Sequence, residues 1–332
     1  MERSLIDGDG EVWEKLGNKA IVLQKLERAI ARREGIRGDG SYGKDGKDGK
    51  YGTNALRLVD GWGDGIEGVE IDDFAGRWLV QTREGRFPEW LRGVTRMKGA
   101  RAIYWKVLGG GKEAPVWIEG EVAREPFEVM ENGVRFWIDF TAGYSQGIFL
   151  DQRDNRAEMR KRGRGLRVLN CFAYTCGFGV AAGLGGAETV NIDLSKRYLE
   201  WGRRNYESNG IEAGGHEFIY GEVLNWLERF ARKGRRFDLV ILDPPTFSRD
   251  KEGRIFTVEA GFAKLVRAAE GVLGETGGLF CSTNQRGLTG EGFRRLIGQG
   301  LARPEGWRME ERGMPGDFTG ERYLKCVWVE RR

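Results

Sequence analysis

A buried strand that breaks into a glycine-bearing turn and a small-residue helix is written in Val168-Leu-Asn-Cys-Phe-Ala-Tyr-Thr-Cys-Gly-Phe-Gly179. A second strand, Thr189-Val-Asn-Ile, follows and ends in Asp193. Strand, glycine turn, helix, strand and acid is the order by which a doubly wound α/β sheet holds an adenosine: the turn meets the polar middle of the ligand and the acid takes the ribose hydroxyls. Several cofactor classes share that order, so it leaves the chemistry open.

The turn narrows the choice. Asn170 to Gly179 contains no Gly-x-Gly-x-x-Gly, the close backbone approach that a pyrophosphate needs. A sulfonium nucleoside has no phosphate, and a polar turn with fewer glycines suits it, which favours S-adenosylmethionine over a nicotinamide dinucleotide. Asp193 is placed for the ribose diol, with Ser195 at hand to cap the next helix. Glu222, just past the third strand, sits where such sheets present an acceptor to the adenine amino group.

Apolar runs alternating with helical periods place parallel strands at Leu166–Cys171, Thr189–Ile192, Glu217–Tyr220, Leu239–Leu242 and Leu279–Thr283. Two more, near Trp307–Glu311 and Tyr323–Val329, have only a short connection between them and predict a closing antiparallel hairpin. The expected fold is therefore a Rossmann-like seven-stranded sheet of class I methyltransferase type, in a domain spanning 146–332. Ahead of it, residues 54–145 read as a small α+β domain for RNA or substrate: strands at Ala55–Val59, Gly68–Ile71, Trp78–Gln81, Ile103–Lys106, Val116–Ile118 and Val134–Phe140, with one helix at Pro88–Met97. Its tryptophans, Trp62, Trp78, Trp90, Trp105, Trp117 and Trp137, are expected in the core or at its rim. Residues 1–53 combine an amphipathic helix over about 12–34 with a glycine-rich stretch, 38–52, whose Lys-Asp-Gly repeats cannot bury a core and read as a mobile linker.

Composition excludes some chemistries. No apolar run approaches the roughly 18 to 20 residues of a membrane span, and the start lacks a signal peptide's apolar core, so a cytoplasmic protein is expected. The single histidine, His216, and four cysteines without a Cys-x-x-Cys pair argue against a metal site and against histidine-based acid/base catalysis. A net charge of +4 does not by itself argue for nucleic acid. Arg153, Arg156, Arg160, Lys161, Arg162, Arg164 and Arg167 crowd ahead of the central strand, and a solvated face and a phosphate-binding one are equally compatible with them.

The decisive stretch is Asp243-Pro-Pro-Thr-Phe247, after the fourth strand. Two successive prolines can neither continue a ladder nor enter a helix comfortably, so the chain leaves the sheet as a stiff loop. That loop offers a carboxylate, carbonyls with no proline N–H to compete for them, and an aromatic ring, which are the needs of a flipped nucleobase.

With these residues in place the chain resembles the class I S-adenosylmethionine-dependent 23S ribosomal RNA methyltransferases, the family of the large-subunit cytosine-C5 enzymes and the guanine-N7 half of the K/L enzyme. The matching stretches are Gly147-Ile-Phe-Leu-Asp-Gln-Arg-Asp-Asn-Arg156, Val168–Thr175, Tyr198-Leu-Glu-Trp201 with Asn205 and Asn209-Gly210, Asp243–Ser248, and Ser282-Thr-Asn-Gln-Arg-Gly287, over about residues 54–332. The resemblance implies a cofactor touching Phe149, Asp151, Arg153, Asn170, Phe172, Tyr174, Thr175, Asp193, Glu222 and Asp243. It implies a base met by Asp243, Pro244 and Phe247, with Pro245, Thr246, Asn284 and Arg286 lining the substrate side and the Arg153–Arg167 cluster holding RNA phosphates. Two departures stand out. Ahead of residue 54 there is neither the PUA domain usual in the cytosine enzymes nor the THUMP region of the K/L enzyme. Cys176 also stands where the family has glycine, which is expected to narrow the cofactor turn.

The target atom divides the family. Cytosine-C5 transfer needs a cysteine thiolate to add to C6; alignment on Ser282 puts Thr283 at that place, with Cys281 two residues earlier on the same strand face. A ring nitrogen such as guanine N7 is already nucleophilic and needs only alignment and exclusion of water. The residues therefore favour a nitrogen-directed RNA methyltransferase, with a cytosine-C5 enzyme and a catalytically silent RNA-binding module as the alternatives. Oligomeric state is left open.

Overall fold

A computed structural model describes residues 19–37, 52–109, 113–143, 145–249 and 255–332. The Lys-Asp-Gly stretch, except Gly52, and residues 12–18 of the expected N-terminal helix lie outside the described residues. The chain divides into two compact units: Met1–Gly133, Ile138–Leu150 and Gly316–Glu321 form the first, and Val134–Trp137, Asp151–Pro315 and Arg322–Arg332 the second.

In the first unit, helix α1 (Lys19–Arg37) lies on a five-stranded sheet of β1 (Ala55–Asp60), β2 (Val69–Phe74), β3 (Arg77–Thr82), β4 (Ala102–Val107) and β5 (Val116–Gly120), in that order. All neighbours are antiparallel except β3 and β4. A parallel step needs a crossover, and residues 83–101 supply it. The single helix expected at Pro88–Met97 is instead a 3-10 turn, Glu89–Leu91, and a short α2 (Val94–Lys98), because Gly93 between them takes φ 80°. One further strand of this unit, β6 (Phe127–Glu131), lies outside the expected set, whereas β7 (Val134–Ile138), of which Val134–Trp137 belong to the second unit, ends two residues earlier than the pattern suggests.

The stripe of α1 that meets the sheet is Val22, Leu26, Ala29 and Arg33, at helical spacing, with the three apolar residues in the core beside Leu56, Leu58, Ile71 and Val80. Arg33, buried, is the fourth. Its guanidinium makes two hydrogen bonds of 2.7 Å to the Asp64 carboxylate and others to the Arg57 and Asp317 carbonyls. A buried charge is tolerable only when paired and hydrogen-bonded in this way. Arg57, also buried, is shared among Asp60, Glu70 and Asp72, and burial pushes the carboxyls of Asp72 and Asp73 up to about 6.

The second unit holds β8 (Arg167–Cys171), β9 (Glu188–Asp193), β10 (Glu217–Tyr220), β11 (Phe237–Leu242), a small hairpin β12 (Phe247–Arg249) and β13 (Ile255–Thr257), then β14 (Leu273–Thr283), β15 (Trp307–Arg312) and β16 (Lys325–Arg331). Seven of them form one sheet in the order β10-β9-β8-β11-β14-β16-β15. The first five are parallel, and β16 runs antiparallel to both β14 and β15. This is the expected class I plan, with β14 six residues longer at its start. Helices α3 (Arg153–Arg162), α4 (Gly177–Leu184), α5 (Lys196–Ser208), α6 (Val223–Arg232), α7 (Val258–Glu270) and α8 (Gly290–Gly300) cover it.

Strand alternation assigns the faces. Leu169, Val240, Leu242, Leu279 and Cys281 pack with α6, α7 and α8, whereas Val168, Leu239, Ile241 and Phe280 pack with α3 and α4. Among the described residues no helix is long and apolar enough to cross a membrane.

Candidate active site at the carboxyl edge of the sheet

Because the five strands are parallel, their carboxyl ends share one edge, and between β8 and β11 the direction of winding reverses. A crevice opens at such a switch point. The turn after β8 and the Asp243 loop after β11 flank it.

The turn is strained. Phe172, Tyr174 and Cys176, none of them glycine, all take left-handed φ of 58°, 51° and 62°. Such residues cost about 1–3 kcal/mol each and persist only where neighbours over-determine them. Here Ala173 N–H donates to the Ile192 carbonyl (2.9 Å), Cys176 N–H to Ala173 (2.7 Å) and Tyr174 N–H to Asp193 Oδ2 (2.8 Å). Asn205 of α5 donates to the Thr175 carbonyl (2.9 Å), and the Tyr198 ring stands edge-on to Tyr174 at 4.5 Å. The Cys176 thiol is directed at α5, where Gly202 leaves room: a Cβ there would lie 2.4 Å from Sγ.

Asp193 accepts Tyr174 N–H on one oxygen and Ser195 N–H (2.8 Å) on the other. Burial raises its pKa and these backbone donors oppose the rise. Each oxygen retains acceptor capacity, as a ribose diol requires. Ser195 caps α5, taking Tyr198 N–H at 3.3 Å. Glu222 caps α6 through Asn225 N–H at 2.7 Å, an engagement the sequence reading did not foresee. Asn170 is buried and donates to Asn191 Oδ1 at 2.9 Å, joining a ladder that runs on to Tyr206 (3.1 Å), Thr189 and His216.

The Asp243 carboxylate accepts the Ser282 hydroxyl. That hydroxyl in turn accepts Gln152 Nε2 at 2.8 Å, and Gln152 Oε1 accepts Asn155 Nδ2 at 2.7 Å. Asn155 also reaches Cys326 Sγ at 3.1 Å. The chain of donors leaves the Ser282 proton one direction, towards Asp243. Burial drives the Asp243 carboxyl up to about 6, against the Ser282 bond that lowers it; the Asp151 carboxylate adds to the rise and the Arg156 cation opposes it. Asp151, buried, accepts the Tyr323 hydroxyl at 2.9 Å. Gln152, Asn155, Ser282 and Tyr323 were not singled out as site residues; the first three lie in the family-like stretches quoted above, which was the available signal.

Pro244 is buried, Thr246 half-buried and Pro245 exposed, and Phe247 begins β12. Asn284 is exposed just past β14, and the Arg286 guanidinium lies 4.9 Å from the centre of the Tyr323 ring. Arg153 is buried, with Nε 3.5 Å from Asp154. Phe149 is exposed and belongs to the first unit. The arginine cluster is corrected: Arg153 and Arg156 are buried, Arg162 pairs with Glu158 and Glu330, and Arg167 pairs with Asp238. Lys161, Arg164 and Arg167 are exposed.

The donor set at this edge fits S-adenosylmethionine. Asp193, Glu222 and Asp243 end or follow β9, β10 and β11, three of the five parallel strands, giving acceptors for hydroxyl and amino groups and a field that attracts a sulfonium and repels a pyrophosphate. Residues 103–295 match the family described as S-adenosylmethionine-dependent methyltransferase. Putative ribosomal RNA large subunit methyltransferase YwbD of Bacillus subtilis is 32% identical over 95% of this chain and 81% of its own length. Ribosomal RNA large subunit methyltransferase K of Neisseria meningitidis serogroup B is 34% identical over 96% and 86%. A putative methyltransferase solved in complex with SAH superposes with a TM-score of 0.80 at 26% identity, covering 94% of this chain and 82% of that one. The chain belongs to the S-adenosylmethionine-dependent methyltransferases, in the family of the ribosomal RNA large subunit enzymes.

Proposed function

We propose that this enzyme methylates a nucleobase of large-subunit ribosomal RNA and that the acceptor is a ring nitrogen of the guanine-N7 type. The names of the YwbD and K relatives support the RNA. The fate of the cysteines is the observation that carries the atom. All four are buried, and burial pushes the thiols of Cys171, Cys176, Cys281 and Cys326 upward, away from thiolate. Cys281 packs under α7 and α8, on the opposite strand face from Ser282 and its Asp243 contact. A cytosine-C5 mechanism lacks its nucleophile there, whereas a ring nitrogen needs none.

S-adenosylmethionine supplies an electrophilic methyl group when bound. In this reading the turn residues Asn170, Phe172, Tyr174 and Thr175, with Phe149, Asp151, Arg153, Asp193 and Glu222, hold it across the sheet edge. Asp243 accepts from the amino or imino edge of the base. Pro244 and Phe247 supply apolar surface, and Pro245, Thr246, Asn284 and Arg286 line the substrate side. Methylation of guanine N7 leaves the ring positively charged, so the Asp243 carboxylate also stabilises charge that develops as the bond forms. No general base is required, in keeping with a chain whose lone histidine is tied to Thr189.

The test is incubation with tritiated S-adenosylmethionine and unmodified ribosomal RNA, followed by nucleoside analysis. Label in 7-methylguanosine is expected. Label in 5-methylcytidine, together with a covalent adduct on 5-fluorocytosine RNA that Cys281→Ala abolishes, would replace the nitrogen reading. Label in no RNA would overturn the RNA assignment.

A further inference from the structure

The first unit displays one tryptophan in an unexpected way. Trp62 is 64% exposed, yet it sits in the Gly61–Asp64 3-10 turn, one of the most braced segments of the unit. Asp64, buried, takes both terminal nitrogens of Arg33 and also accepts Asp60 N–H at 2.7 Å. Gly320 N–H donates to Asp60 Oδ2 at 2.6 Å. Gly63 lies so close to Thr319 that a Cβ would meet its carbonyl at 2.4 Å, and Gly65 closes the turn at φ 72°. A ring that costs apolar exposure is thus carried into solvent on a braced turn, unlike Trp78, which is in the core.

The ground beside it is basic. Helix α1 carries six Lys and Arg against two Glu, a surplus equal to the +4 of the whole chain. Lys25, Arg28 and Arg32, at i, i+3 and i+7, lie along one side of it. Lys25 Nζ donates to the Gly65 carbonyl at 2.8 Å and Arg32 reaches Asp64 at 2.8 Å, so that side borders the turn. Arg28 and Arg32 are exposed.

We propose that Trp62 is a stacking platform for an unpaired base of the RNA, and that Lys25, Arg28 and Arg32 hold the phosphates that flank it. An exposed ring carried on a braced turn beside a row of cations is the combination by which proteins grip single-stranded nucleic acid without reading its sequence. The inference rests on the RNA reading above and adds a contact surface in the first unit, where no substrate residue had been found.

The experiment measures binding of the full chain to an in-vitro transcript of large-subunit ribosomal RNA, for wild type, Trp62→Ala, Trp62→Phe and Arg28→Gln. Trp62→Ala is expected to weaken binding about 5- to 100-fold, and Trp62→Phe to keep most of the affinity, because base stacking tolerates either ring. Arg28→Gln is expected to lower the slope of log affinity against log salt by about 1. Affinity for S-adenosylmethionine and the denaturation midpoint stay unchanged in all three, the midpoint reporting that the mutated unit is folded. A wild type that methylates RNA while Trp62→Ala binds the transcript equally well overturns this inference alone. A wild type that neither binds nor methylates RNA overturns it together with the function.

Discussion

The sulfur of Cys176 lies 2.4 Å from the point a Cβ would occupy on Gly202. The two positions complement each other: the side chain gained in the turn is housed by the side chain missing from α5. Gly202→Ala forces one of them to move and is expected to cost about 1–3 kcal/mol. Cys176→Gly removes a left-handed non-glycine, which favours the fold, and leaves a small void, which disfavours it. In the double variant Gly202→Ala should be much less damaging, giving a coupling of about 1–3 kcal/mol in urea denaturation. Additive effects would mean that the sulfur is not directed at α5.

The role proposed for Asp243 sets its ionisation against stability. A carboxyl raised to about 6 in the fold binds its proton more tightly than in the unfolded chain, so its contribution is complete below about pH 4 and is lost as pH rises through 6. Asp243→Asn keeps an acceptor for Ser282 and cannot ionise. It should be more stable than wild type by about 1–3 kcal/mol at pH 8 and no more stable at pH 4, with methyl transfer lost. Denaturation at the two pH values checks the sign; a stability difference that does not grow with pH contradicts it.

The Ser282 hydroxyl favours the ionised form of Asp243. If transfer requires that form, turnover falls on the acid side with an apparent pKa near 6, and Ser282→Ala moves this limb to higher pH while lowering the plateau less. A pH profile of turnover at saturating cofactor reads this directly. An unmoved limb would leave Ser282 with a purely structural role.

Arg33 and Asp64 form a buried pair, and removing one partner strands the other. Asp64→Ala is expected to destabilise by about 3–5 kcal/mol, visible as a lower denaturation midpoint. Arg33→Met combined with Asp64→Leu should recover much of it. Full additivity of the two single losses would show that the pair is not coupled.

What could be read from the chain beforehand was local. The short apolar runs Val168–Cys171 and Leu239–Leu242, the turn after the first and the two prolines after Asp243 are short-range signals, and they locate the sheet, its switch point and the edge where the acids gather. Partners distant in sequence carry no period. The Ser282 bond to Gln152 joins residues 130 apart, and nothing near either predicts it. The basic residues of α3 look alike in sequence, yet a helical position decides that Arg153 is buried while Lys161 is exposed. Glu222 looks like an open acceptor until the helix behind it is seen to need a cap. The exposure of Trp62, among tryptophans expected in the core or at its rim, is not legible because aromatic composition says nothing of direction.

Gly316–Glu321 belongs with the first unit although the chain reaches it only between β15 and β16. Arg33 meets the carbonyl of Asp317 across 284 residues, and Gly63 and Asp60 lean on Thr319 and Gly320. The amino-terminal unit therefore leaves the ribosome without its keystone. Synthesised first, it waits for a segment that follows most of the second unit, and contacts of such sequence separation form slowly; the second unit closes only after that, when β16 (Lys325–Arg331) enters its sheet between β14 and β15.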